Sequence, residues 1–169
     1  MIVIEGVFEA GEFDYEGLLA ELKKDMRALA KSMQSDFNLA TREWDHKPEF
    51  PVRGPAIVGG DLVTTVVPAG PNAQIFEWVD LGTEEHDIVP RGDYPMTFRT
   101  GYAAKSVSGT LWPTGGIGKF GPYRSTYFVK HPGIEPREFS RRISLNHLDW
   151  FQDRVARTML KFARRSNKA

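Results

Sequence analysis

Residues 14–41, DYEGLLAELKKDMRALAKSMQSDFNLAT, decide the fold class. Leu18, Leu22, Met26, Leu29, Met33 and Phe37 recur at steps of three or four. That spacing lays one apolar stripe along a helix from about Tyr15 to about Thr41. Asp14 is a good N-cap, and Glu16 and Glu21 stand near the positive end of the helix dipole. Lys23, Lys24, Asp25, Arg27 and Lys31 fall off the stripe and read as solvated. Ahead of the helix, Ile2–Phe8 (IVIEGVF) mixes β-branched and aromatic residues and reads as a short strand.

Downstream the character changes. Nine prolines lie between Lys47 and Tyr127, with many glycines, which excludes long helices there. Between these breaks the runs Leu62–Val67, Gln74–Leu81, Met96–Arg99, Ala104–Val107 and Ser125–Val129 read as strands. The stretch 108–123, SGTLWPTGGIGKFGPY, holds five glycines and reads as a long loop or hairpin tip. Helix returns at the C-terminal end. Pro136 suits the first turn of a short helix through Arg142. A longer helix capped by Ser144 or Asn146 follows, with Leu148, Phe151 or Gln152, Val155, Met159 and Phe162 as its stripe.

The expected architecture is therefore α+β. A central, mostly antiparallel sheet (about 47–130) is packed by the long N-terminal helix and by C-terminal helices at about 135–165. All 169 residues read as one domain. Hydrophobic residues at 41% and charged residues at 26% fit an ordinary globular chain. With no cysteine, disulfides, thiolate metal sites and cysteine nucleophiles are excluded. No apolar run approaches the roughly 18 residues a membrane helix needs. The acidic start lacks the basic region of a secretory signal, so the expected place of synthesis is the cytoplasm.

Searching for chemistry returns little. His46, His86, His131 and His147 are scattered, with neither HExxH nor HxH spacing, so no metal site is expected. The string GGIGKF at 115–120 imitates a phosphate-binding loop, but Pro113 replaces its first glycine and Phe120 its magnesium-holding hydroxyl. No GxSxG elbow occurs, and Glu84–Glu85 read as surface carboxylates. No enzyme activity and no cofactor are expected.

Two segments carry a resemblance. The first is Phe76-Glu77-Trp78-Val79-Asp80-Leu81-Gly82-Thr83, followed by His86-Asp87-Ile88-Val89-Pro90. The second is Phe128-Val129-Lys130-His131-Pro132-Gly133-Ile134-Glu135-Pro136-Arg137-Glu138-Phe139. Together they resemble the small neck proteins of long-tailed bacteriophages, a family of tail-component or tail-completion proteins. There, a strand leads into a Val-x-x-Gly-Thr turn and a His-x-Ile-x-Pro step. A Val-x-His-Pro-Gly turn later opens onto a helix. The glycine-rich stretch around Trp112 to Phe120 is longer than that pattern. The resemblance implies a ring of about six copies between the head-side connector and the tail tube, with DNA passing through it. It places the protein in the virion, after assembly in the host cytoplasm. A tail terminator capping the tube is the near alternative. A small ligand-binding domain or enzyme using the Gly-rich loop with His86 or His131, and a nucleic-acid-binding accessory protein, are the others.

On physical grounds the motif residues read as structural. Gly82 supplies a tight turn, the Thr83 hydroxyl bonds the turn backbone, His131 is held extended by Pro132, Gly133 turns the chain and Pro136 starts a helix. Function is then sought in surfaces. Leu111, Trp112, Ile117 and Phe120 sit on the Gly-rich frame and are expected to order against a neighbouring subunit or the adjoining ring. Charge is balanced at 22 against 22 but split along the chain. Residues 1–22 carry Glu5, Glu9, Glu12, Asp14, Glu16 and Glu21 without a base. From Arg154 onward there are Arg157, Lys161, Arg164, Arg165 and Lys168 without an acid. These ends are candidate contacts between subunits, candidate contacts with channel DNA, or two solvated faces.

Overall fold

The structure is a computed structural model that describes residues 13–106, 111, 116 and 118–166. The expected strand Ile2–Phe8, with Glu5, Glu9 and Glu12, lies outside the described residues, as do Trp112, Ile117 and Lys168. The order of elements is α1 (Tyr15–Ala40), β1 (Val52–Val58), β2 (Asp61–Val66), α2 (Ala73–Leu81), β3 (His86–Ile88), β4 (Met96–Arg99), β5 (Tyr102–Ala103), β6 (Gly118–Lys119), β7 (Tyr123–Thr126), β8 (Val129–His131) and α3 (Phe139–Ser166). The fold is α+β, with long helices at both ends and antiparallel pairing between.

The described residues gather into two compact units. One holds α1 through Ser35, the β1–β2 hairpin and α3 from Ser144. Asp14 caps α1, its Oδ1 accepting from the Gly17 N–H at 2.8 Å. Leu18 and Ala30 of α1 are buried, as are Phe151 and Phe162 of α3. Of the expected stripes, Leu18, Phe37, Phe151 and Phe162 are buried, while Leu22, Met26, Leu29, Met33, Leu148, Val155 and Met159 are half-buried. Asp25 corrects the expectation of a solvated acid: it is 2% exposed. It stands three residues after Leu22 and four before Leu29, which puts it on the buried arc. The β1–β2 hairpin turns at Gly59–Gly60, pairing Val58 with Asp61, and is bulged between Arg53 and Ala56.

The other unit holds Asp36–Phe50 and Pro68–Ile143. Its core is aromatic. Phe37 stacks on Phe50 at 4.8 Å, and Phe50 meets Phe76 edge-on at 5.0 Å. Phe76 stacks on Phe139 at 6.0 Å, and Trp44 stands 6.1 Å from each of them. Phe76, Phe139 and Ile143 are among the most deeply buried side chains. Such aromatic pairs contribute about 0.5–1.5 kcal/mol beyond the area they bury.

Several sequence expectations change here. Instead of one central sheet, the strands form separate two-stranded ladders: β1–β2, β3–β8, β4–β7 and β5–β6. Prolines flank these strands, with Pro95 before β4, Pro122 before β7 and Pro132 after β8. Each lacks the N–H that a further strand would need. Strand β1 is not among the expected runs; Pro55 sits at its bulge, where the ladder tolerates it.

The run Gln74–Leu81 is helical, as α2. Phe76 and Asp80, four residues apart, both turn inward, so the run follows the helical period rather than alternation. The ladder expected at Ala104–Val107 falls on Tyr102–Ala103. The run Ser125–Val129 divides into β7 and β8, because the Thr126 hydroxyl bonds the Phe128 backbone and turns the chain. The two expected C-terminal helices are one, α3, and Ser144 and Asn146 lie inside it. Pro136 precedes it, and Glu138, at φ 55, makes the sharp entry instead.

Candidate functional site

The two segments that carry the resemblance come together as one joint. Gly82 and Thr83 end α2, and the Thr83 N–H and C=O pair with Ile134 at 2.9 and 3.0 Å. Alongside, β3 pairs with β8, setting His86 opposite His131 with rings stacked at 4.9 Å. The Gly133 N–H donates to His131 Nδ1 at 3.1 Å, while His86 Nδ1 donates to the Glu84 carbonyl at 2.9 Å. A carbonyl only accepts and an amide N–H only donates, so His86 carries its proton on Nδ1 and His131 does not.

Both turn glycines are required. Gly82 has φ 78, and a Cβ there would stand 2.7 Å from the Ile134 carbonyl and 2.9 Å from Pro136 Cδ. Gly133 has φ 87, and a Cβ there would run into the Thr83 carbonyl.

Asp80, which the sequence did not single out, fastens this joint to α3. Its carbonyl accepts from the Glu138 N–H at 3.0 Å, and its Oδ1 accepts from the Ser140 N–H at 3.1 Å. A carboxylate from α2 therefore caps a helix sixty positions downstream, where it also faces the positive dipole end. The Thr83 hydroxyl does not bond the turn backbone as expected. Its Oγ1 is buried with no partner among the described residues, since the backbone groups already pair with Ile134. Pro90, in the loop after β3, is half-buried. The joint sets the start of α3.

Of the Gly-rich stretch, Leu111 is half-buried and Phe120 is 54% exposed, its N–H donating to the Gly101 carbonyl at 3.0 Å. Lys105, three residues before the stretch, bonds Asp45 at 2.9 Å. That bond and the ammonium charge hold the Asp45 carboxyl below its ordinary value of 3.8.

The α3 face carries the most concentrated chemistry. Trp150, Arg154, Arg157, Thr158 and Lys161 line an open groove of about 280 Å³. Positions 150, 154, 157, 161 and 165 follow one another at steps of four, three, four and four, so they share one side of the helix. Beneath them Asp25 accepts from Arg154 Nε, and from the Thr158 hydroxyl at 2.7 Å. Arg154 also covers the Trp150 ring at 5.5 Å. Lys161 lies 3.8 Å from Glu21. Arg157 Nε donates to the Asp153 carbonyl at 3.2 Å. Lys161 and Arg165 both stand over the Phe162 ring, at 5.7 and 5.4 Å.

Arg157, Lys161, Arg164 and Arg165, singled out from the sequence, are thus exposed on α3. Trp150 and Asp25 were missed as parts of that face, and Arg154, counted in the basic end, was not singled out as a contact. The available signal was an acid on a buried arc of α1 and an aromatic residue one turn ahead of the basic row. No group of three or more His, Asp or Glu suited to a metal occurs among the described residues. Among the described residues no helix is long and apolar enough to cross a membrane. No protein-family model, curated protein or solved structure matches the chain.

Proposed function

We propose that this chain is a structural subunit of the neck of a long-tailed phage: a tail-completion ring that joins the head-side connector to the tail tube around the DNA channel. One observation carries the proposal. The two segments that resemble that family, far apart in sequence, meet in a single joint through the Thr83–Ile134 bridge and the β3–β8 ladder. Shared motifs that also share a substructure are less easily coincidental than two isolated turns. The joint contains turns, caps and a paired backbone, which suits a protein that works through shape.

Exposed apolar side chains give further support. Tyr94, Tyr123, Tyr127 and Phe128 on and beside β7, and Ile57 and Val58 at the β1–β2 tip, all face solvent. Apolar surface of this kind marks places where partners sit. A ring of identical subunits uses two different complementary faces per chain, so a chain with several separate exposed patches suits it. The tail-terminator role makes the same demands on the chain and stands as the second assignment.

Light scattering on the purified chain over a range of concentrations tests the proposal. A mass of about six subunits supports it. A mass of 19.1 kDa at every concentration overturns it.

A further inference from the structure

From the α3 face we infer a docking surface for the phosphate backbone of nucleic acid, read by charge and not by sequence. Its centre is Arg157 and Lys161, with Arg164 and Arg165 extending it toward the C-terminus and Trp150 with Arg154 closing its other end. At about 1.5 Å per residue, the row from Arg154 to Arg165 runs about 16 Å. The row also continues past the groove, whose lining ends at Lys161, so the ligand it fits is an extended polyanion rather than a small anion.

Not every cation in the row is free to meet such a ligand. Arg154 is neutralised by the buried Asp25, and Lys161 shares its charge with Glu21 at 3.8 Å. Arg157 gives Nε to a neutral carbonyl, a bond that orients the guanidinium without cancelling its charge. Arg164 and Arg165 add two more, and no acid follows Arg154 in the chain. Three positive charges, with Lys161 as a shared fourth, therefore remain along this part of the helix.

The helix dipole does not account for this. It favours cations within the last turn only, which covers Arg164 and Arg165. Arg157 stands more than two turns before Ser166 and has no dipole reason to be basic. Orienting contacts from Asp153, Phe162 and Asp25 hold the row in place before any ligand arrives. Guanidinium groups fixed in this way suit phosphate oxygens, which accept two parallel N–H bonds. Trp150, 40% exposed, adds an apolar edge at the groove's end. Identifying the polyanion as duplex DNA rests on the neck-ring proposal; the charge and spacing of the site rest on α3 alone.

Fluorescence anisotropy with labelled duplexes of about 30 base pairs in two unrelated sequences, titrated with the full chain, tests the inference. Equal affinity for both is expected, with a slope of log K against log salt near −3 for about three phosphates engaged. Arg157→Gln with Lys161→Gln should flatten that slope by about 2 and weaken binding at least about tenfold at about 50 mM salt. Lys31→Gln, an exposed base on α1, should leave both unchanged. The salt slope of the unaltered chain provides a readout that needs no variant.

Absence of binding at about 50 mM salt overturns the inference. So does an unchanged slope in the double variant. If the double variant changes the mass of the assembly but not DNA affinity, the row instead contacts the acidic N-terminal segment of a second copy, and the inference falls. Rings that do not bind DNA overturn it while leaving the neck proposal standing. A monomer that binds DNA with the expected slope supports it and overturns the neck proposal.

Discussion

Asp25 shows how one residue can work against the apparent logic of its sequence. It lies among lysines and an arginine, yet the helical period carries it into the interior, where Arg154 and Thr158 bind it. Arg154 is partly exposed and can be rehydrated, whereas Asp25 cannot. Arg154→Ala should therefore cost about 3 kcal/mol, because a carboxylate stays buried without its cation. Asp25→Asn should cost less, about 1–2 kcal/mol. Urea unfolding of both variants measures the order; equal losses would mean that the pair is not desolvated.

Gly82 and Gly133 follow a different physics. Each combines a positive φ with backbone in the path of a Cβ, so alanine at either should cost about 1–3 kcal/mol. Thermal melting checks this, and a neutral result would show that the joint is not held as described.

Asp45 gives the pH dependence. Its carboxyl is depressed by Lys105, so the folded state holds the ionised form more tightly than the unfolded chain does. The stabilisation is fully present above the ordinary value of 3.8 and fades as pH falls through the lowered one. Melting curves of the natural chain and of Asp45→Asn should separate above that value, with the natural chain higher, and converge below it. The difference will be small, as the carboxyl is exposed.

Elements show what the sequence made legible. The period of α1 is unambiguous over many turns, and its ends fall at Tyr15 and Ala40, beside the predicted limits. The cap at Asp14 was legible too, because it depends only on neighbours. The run QIFEWVDL was not. Over eight residues an apolar run satisfies both helix and strand, and what decides is the burial of Phe76 against Phe37, Phe50 and Phe139, contacts with residues far away in the chain. For the same reason Asp80 could not be recognised as the cap of α3: its partner is sixty positions off. Asp80→Ala should loosen the start of that helix and cost about 1–2 kcal/mol. Amide exchange should rise first at Ser140, whose N–H the Asp80 carboxylate holds, with Glu138 less affected because its partner is the backbone carbonyl; uniform loosening of α3 would contradict the capping role.

At the scale of the whole molecule, the α+β class followed from counting periods, while the pairing of strands did not. Prolines told where strands stop but not which strand meets which; β3 finds β8 across the whole β4–β7 region. The motif turns were legible as turns, and their meeting was not. The charge split was legible as composition, but only the folded contacts separate Arg154, held by the buried Asp25, from Arg157, whose Nε meets a neutral carbonyl. What such a molecule offers is surfaces: exposed aromatics beside β7, an apolar hairpin tip and a basic helix face.

Closure into a ring is the central claim, and electron micrographs of the purified chain test it most directly. The account predicts end-on views of closed rings with about six equal subunits around a central opening. Compact single-chain particles at every concentration and salt tried would contradict it.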